Sequence, residues 1–283
     1  MRAGAARWTV VELVHPIPSL LTTLAAVGFA WIFGIGPRDR RFWWIAAIML
    51  LVQFSISALN EWADADLDRR ALRRRPIPLG LVSRGAALSL AVAFAVGAFL
   101  LSALSDLGAF AMLLVGVGTA CGWAYDLWLK PTPLSFVPFA VAFPLMPFWI
   151  GVLAGRPLSS LAILFLGGSP LAAAIHLADA TPDRDRDRAA GLKTLAVWLG
   201  RPGADMAAAS LLLIGTLVSI VLIVQRGTLP IAGISVITVA ASAMMVGLSF
   251  WGSRNGAAQL GKWVVIAAAA VAAVPLVAWA SER

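Results

Sequence analysis

Residues 60–68 read Asn-Glu-Trp-Ala-Asp-Ala-Asp-Leu-Asp, and they follow directly on 42–59, an apolar run without a charge. Residues 179–187 read Asp-Ala-Thr-Pro-Asp-Arg-Asp-Arg-Asp and follow a second run, 158–178, with no Asp, Glu, Lys or Arg. These two stretches hold eight of the 14 acids in the chain. A carboxylate close to hydrocarbon is costly and tends to mark a site. In both stretches the spacing is i, i+4, i+8, which drifts only about 40° per step on an α-helix. Asn60, Asp64 and Asp68 therefore share one helix face, and Asp179, Asp183 and Asp187 repeat the pattern. Each position is offset by 119 residues between the stretches, and Arg69 and Arg188 keep that offset. The repeat suggests two related halves, roughly 1–130 and 131–283.

The surrounding composition says what medium these ladders border. Of 283 residues, 60% are hydrophobic and 13% are charged, with a mean hydropathy of +0.88. That excludes an ordinary soluble enzyme, a disordered tail protein and a nucleic-acid-binding chain, despite a net charge of +8. A helix needs roughly 20 mainly apolar residues to cross a bilayer. Nine such spans are predicted, at 18–35, 42–59, 85–104, 107–124, 134–153, 158–178, 204–224, 229–251 and 263–280. The expected class is an all-α integral membrane protein. No cleavable signal is expected, because the first apolar stretch is long and runs into Gly36, Pro37 and basic residues. Counted in alternate connections, 16 of the 22 Lys and Arg fall on the side of the N-terminus, which places the N-terminus in the cytoplasm and, with nine spans, the C-terminus outside. Trp8, Trp43, Trp44, Trp263 and Trp279 fall near span ends, where an indole suits the membrane interface. The lone Cys121 lies in an apolar run and reads as a small core residue.

Both acidic ladders fall on the predicted cytoplasmic side. Like charges at i, i+4 repel, so two ladders call for counter-charge. A hard divalent cation suits oxygen ligands, and Mg²⁺ binds through a few carboxylates while taking other ligands from water and phosphate. The competing reading is that the ladders are solvated helix ends whose acids pair with neighbouring arginines. After the first ladder come Arg69, Arg70, Arg73, Arg74 and Arg75, and after the second comes Lys193. Arg and Lys are natural donors to phosphate oxygens, although cytoplasmic topology alone accounts for part of this charge. The only tyrosine, Tyr125, stands with Lys130 at the end of the fourth span; beside so many Phe and Trp, it reads as kept for its hydroxyl. His176 shares a helix face with Asp179, as a hydrogen-bonded interior residue or as a substrate contact.

At these residues the chain resembles the UbiA superfamily of intramembrane prenyltransferases, over essentially its whole length as a single domain. The first signature, N-x-x-x-D-x-x-x-D, is met by Asn60, Asp64 and Asp68, and an R-P-x-P-x-G stretch by Arg75, Pro76, Pro78 and Gly80. The second, D-x-x-x-D-x-x-x-D, is met by Asp179, Asp183 and Asp187, and a G-x-x-T-L stretch by Gly191, Thr194 and Leu195. The chain departs from the family pattern at Glu61, where many members carry Asp, in a Tyr-to-Lys spacing of five where four is usual, and at Pro182 inside the second motif. A proline there removes a helical hydrogen bond, so Asp179 is expected to end one helix and Asp183 and Asp187 to begin another segment.

The resemblance implies nine helices around a central cavity open to the cytoplasm, in a prokaryotic cell membrane. It implies a prenyl diphosphate held by Mg²⁺ on Asn60, Asp64, Asp68, Asp179, Asp183 and Asp187. Asp64, Asp68, Asp183, Asp187 and Tyr125 are the expected catalytic residues. Asn60, Arg73, Arg74, Arg75, Lys130 and Lys193 are the expected diphosphate contacts. The expected reaction moves a prenyl group through an allylic carbocation to a small aromatic or lipophilic acceptor. Two other readings stay open at this point: intramolecular cyclisation of the same donor, and, from another class, a cation-coupled transporter. The transporter predicts acids at mid-span on broken helices, whereas these stand at span ends.

Overall fold

The structure, a computed structural model, describes residues 11–105, 107–225 and 258–282, and every regular element among them is helical. The helices are α1 (Pro16–Ile32), α2 (Arg40–Arg70), α3 (Arg84–Leu104), α4 (Ala109–Ala124), α5 (Val137–Leu153), α6 (Leu158–Leu161), α7 (Ile163–Ala180), α8 (Arg184–Ala189), α9 (Leu195–Val224) and α10 (Ala258–Ser281). Seven helical stretches among the described residues are long and apolar enough to cross a membrane, and α1, at 17 residues, is a shorter apolar helix. These correspond to the first seven predicted spans and the ninth. The predicted span 229–251 lies outside the described residues, as do Arg2, Arg7, Trp8, Arg226 and Arg254.

The chain forms two compact units, Met1–Leu127 and Trp128–Arg283. In the first, α2 packs against α1, α3 and α4. Asp39 caps α2, accepting from the Arg41 backbone N–H at 2.9 Å, and the Arg41 guanidinium hydrogen-bonded to it holds its carboxyl below the usual carboxylate range. α3 turns Ala87, Ala91, Ala95, Ala98 and Ser102 inward, while Val92, Val96, Leu100 and Leu104 face outward. Small residues on a helix face let backbones approach closely, which is how helices associate when lipid is as apolar as their side chains. Inside that contact the Ser55 hydroxyl donates to the Ala91 carbonyl at 2.8 Å, and the Trp123 indole N–H donates to Ser55 at 3.0 Å. One hydroxyl thus ties three helices together. Trp43 and Trp263 are largely exposed.

In the second unit α7 is the central element, against α5, α9 and α10. Pro144 and Pro147 lie inside α5. A proline frees the carbonyl four residues earlier, and in hydrocarbon that group needs another donor. The Ser169 hydroxyl supplies it, donating to the Ala140 carbonyl at 2.7 Å. Glycines bring α7 and α9 together: a Cβ on Gly215 would stand 2.6 Å from Leu171 Cγ and 2.8 Å from the Gly167 carbonyl oxygen. The backbone oxygen cannot swing aside. Gly215→Ala is expected to lower the stability of the detergent-solubilised protein by about 1–3 kcal/mol. Gly28→Ala, where a Cβ would meet nothing within 4 Å, should leave it unchanged; parallel thermal unfolding curves compare the two.

Candidate functional site

The first ladder sits on the last turns of α2, which runs on through it to Arg70, eleven residues past the predicted span end. The apolar count stops at Leu59 because it reads polarity and not helix. Asn60 and Asp64 are half-buried and Asp68 is buried. The Asn60 side-chain amide donates to Asp126 Oδ1 at 2.7 Å. That bond fixes which way the amide points and leaves its carbonyl oxygen as the acceptor. Asp126 is itself buried, and it was not among the residues expected from sequence; an acid beside the lone tyrosine at a span end was the available signal.

After Arg70 the chain folds back sharply. Leu72 adopts a left-handed conformation, φ 51°, at a position where glycine is usual. The next residue closes the turn, the Arg73 N–H donating to the Asp68 carbonyl at 2.9 Å. Its guanidinium then reaches the Asp68 carboxylate at 3.0 Å. The stretch Arg75 to Gly80 is a compact turn pinned by buried Pro76 and Ile77, with Gly80 at φ 71°. Arg75 is returned to α2, where it pairs with Glu61 at 3.1 Å. Arg74 is exposed. Arg84 bonds Asp66 at 2.8 Å and lies over the Trp62 ring, 4.9 Å from its centroid.

Tyr125 opens a π-helical turn, Tyr125–Leu129. A π turn closes i→i+5 where an α turn closes i→i+4, so it accommodates the five-residue step from Tyr125 to Lys130. Both side chains are half-buried.

The second ladder is broken where its proline falls. α7 ends at Ala180, Thr181–Asp183 form a 3₁₀ turn, and α8 starts at Arg184. The Thr181 hydroxyl donates to the Leu177 carbonyl at 2.7 Å. Asp179 is exposed and paired with Lys262 of α10. Asp183 pairs with Arg186 at 2.9 Å, and Asp187 is half-buried on α8. Asp179 thus stands on α7, Asp183 closes the 3₁₀ turn and Asp187 lies on α8, so the three do not share one unbroken α-helix. Lys193 is exposed, and its N–H donates to the Pro131 carbonyl at 3.0 Å. Thr194 closes the following helix start, its hydroxyl accepting from the Val197 N–H at 3.3 Å. His176 is buried, its Nε2 3.0 Å from the Ser135 hydroxyl and its ring 4.5 Å from that of Phe139.

The pattern of the UbiA prenyltransferase family matches residues 19–266, a stretch that takes in both ladders. The chain belongs to this family. A digeranylgeranylglyceryl phosphate synthase from Korarchaeum cryptofilum is 30% identical over 194 residues, 67% of each chain. A 4-hydroxybenzoate octaprenyltransferase from Cupriavidus necator is 28% identical over 196 residues, 68% of each. Among solved structures, a digeranylgeranylglyceryl phosphate synthase superposes with a TM-score of 0.78 at 14% identity, covering 99% of this chain and 100% of that one. A UbiA homologue from Archaeoglobus fulgidus bound to GPP and Mg²⁺ superposes with a TM-score of 0.71 at 18% identity, covering 95% and 99%. At such identities the structures establish the UbiA fold. The protein is therefore an integral membrane enzyme of the prenyl-transferring type, and the transporter reading falls away.

Among the described residues no three His, Cys, Asp or Glu side chains gather as a closed metal cage. Mg²⁺ does not require one, since it is bound through one or two carboxylates together with water and phosphate. The donors here are hard oxygens, several beside arginine or lysine, and they fit an ion that arrives with a phosphorylated substrate. The Asn60–Asp126 bond gives a direct structural test. Asn60→Asp replaces the donor with a second carboxylate facing the buried Asp126, and is expected to cost about 1–3 kcal/mol, read as a lowered unfolding temperature; Asn60→Gln should cost less.

Proposed function

We propose that this UbiA-family enzyme transfers a prenyl group from a prenyl diphosphate to a small aromatic or lipophilic acceptor, with Mg²⁺ as cofactor. The observation that carries this reading is the pair of oxygen-ligand ladders, each flanked by cations, at the polar ends of apolar helices. Asn60, Asp64 and Asp68, with Asp179, Asp183 and Asp187, would hold the metal. Bound Mg²⁺ supplies positive charge against the diphosphate as the allylic C–O bond breaks.

The chain's own residues do the rest. Arg73, Arg74, Arg75, Lys130 and Lys193 donate to phosphate oxygens, an attraction felt by the bound donor and by the departing diphosphate alike. Tyr125 presents a π face to the allylic cation. The acceptor attacks that cation at carbon and then loses a proton. The names of the two relatives point to a glyceryl phosphate lipid and a hydroxybenzoate as the acceptor classes to offer first.

Nine spans with the N-terminus in the cytoplasm, and a site on the cytoplasmic side of a prokaryotic cell membrane, complete the proposal. Reporters fused to the two termini should then read opposite sides of the membrane. Detergent-purified protein with excess Mg²⁺, offered a matrix of prenyl diphosphates and acceptors and read by mass spectrometry, is expected to form a prenylated acceptor. Asp64→Ala and Asp183→Ala should each lower kcat/KM by about 10²–10³-fold. Near-normal turnover in either variant would contradict the assignment, and a terpene product formed without acceptor would point to cyclisation instead.

A further inference from the structure

Glu61 follows Asn60 but lies about 100° around the helix, off the ladder face. Its side chain is 2% exposed, a costly place for a carboxylate unless it is paired. Two nitrogen-bearing side chains from distant parts of the sequence meet it at one oxygen. His15 Nε2 lies 2.7 Å from Glu61 Oε1, and Arg75 Nη1 lies 3.1 Å from the same atom. The Arg75 nitrogen is 3.4 Å from His15 Nε2, and Glu61 Oε2 is buried with no hydrogen-bond partner.

His15 is held there at a cost. It immediately precedes Pro16, a position that favours extended backbone, yet it adopts φ 44°, ψ 68°. It sits at the N-cap of α1, but its side chain makes no cap hydrogen bond; the ring is committed to Glu61 instead. A strained residue persists only where its surroundings over-determine it. Exposure rises outward through the three, from 2% at Glu61 to 21% at His15 and 40% at Arg75. Arg75 is thus anchored through one nitrogen on buried Glu61 while its side chain stays 40% exposed, and an arginine fork carries five N–H donors.

We propose that Glu61 and His15 are positioning residues for Arg75: together they lock its guanidinium at the end of α2, so that its outer N–H groups meet the diphosphate of the donor. This rests on the reading that Arg75 contacts diphosphate, and it adds the N-terminal segment, through His15, to the donor site. Glu61 acts here through Arg75 and not as a metal ligand.

The test is steady-state kinetics on purified full-length enzyme with a prenyl diphosphate, an acceptor and saturating Mg²⁺. Glu61→Gln is expected to raise the donor KM roughly tenfold with little change in kcat or acceptor KM, and His15→Ala to shift the donor KM in the same direction. The double variant Glu61→Gln/Arg75→Ala should be no worse than Arg75→Ala alone, because both remove one contact. An unchanged donor KM in Glu61→Gln, or losses that multiply in the double variant, would overturn the proposal. Should Glu61→Gln not fold, the pair His15→Ala and His15→Ala/Arg75→Ala decides by the same criterion. Wild-type protein without Mg²⁺-dependent turnover would overturn the functional reading and this proposal together, whereas active wild type with unmoved donor KM in the variants overturns this proposal alone.

Discussion

Carboxylates one helical turn apart at the edge of hydrocarbon repel each other, and the local structure around both ladders answers that repulsion. Asp68 takes Arg73, Asp66 takes Arg84, Asp183 takes Arg186 and Asp179 takes Lys262. The turn after α2 exists to bring this about: left-handed Leu72 reverses the chain within two residues of the helix end, and buried Ile77 anchors the Arg75-to-Gly80 turn beyond it. In the absence of substrate these pairs keep the acids compensated. The proposed chemistry uses the same electrostatics, since oxygens that attract arginine also attract Mg²⁺, and arginines that meet carboxylate also meet phosphate. The two readings weighed from the sequence, paired helix ends and a metal-diphosphate site, are thus compatible: pairing with arginine and lysine is how the ladders sit, and metal binding is what we propose they do.

The membrane imposes the second constraint. The inward face of α3 is built of small residues, and several hydroxyls inside the units donate to backbone carbonyls. Ser169 on the carbonyl freed by Pro144, and Ser55 between Ala91 and Trp123, show how a proline and a hydroxyl persist in apolar surroundings with their polar groups satisfied. The same logic gives meaning to the buried acids, Glu61, Asp68 and Asp126, each of which has a named partner outside its own helix.

Much of this was legible in the sequence, because it depends on period and polarity. Apolar length announced the described spans, the four-residue acid spacing placed Asn60, Asp64 and Asp68 on one face of α2, and Pro182 announced the break after α7. What escaped depends on pairing across long sequence distances. The Asn60–Asp126 bond joins residues 66 apart, and the His15–Glu61 bond residues 46 apart; no periodicity encodes either. The π turn at Tyr125 was hidden for a different reason, since a single wider turn leaves no repeat to detect. The apolar span ends at Leu59 while α2 runs eleven residues further, because those residues are largely polar and still helical.

The central claim is that the two ladders bind a diphosphate through Mg²⁺. Equilibrium binding of a non-ionising prenyl thiolodiphosphate to the purified enzyme, titrated with and without Mg²⁺, tests it without requiring the acceptor. Saturable binding that appears with Mg²⁺ and vanishes on chelation is the result the account predicts. Equally tight binding in the absence of divalent metal, undiminished when Asp64 and Asp183 are both replaced by Ala, would contradict it.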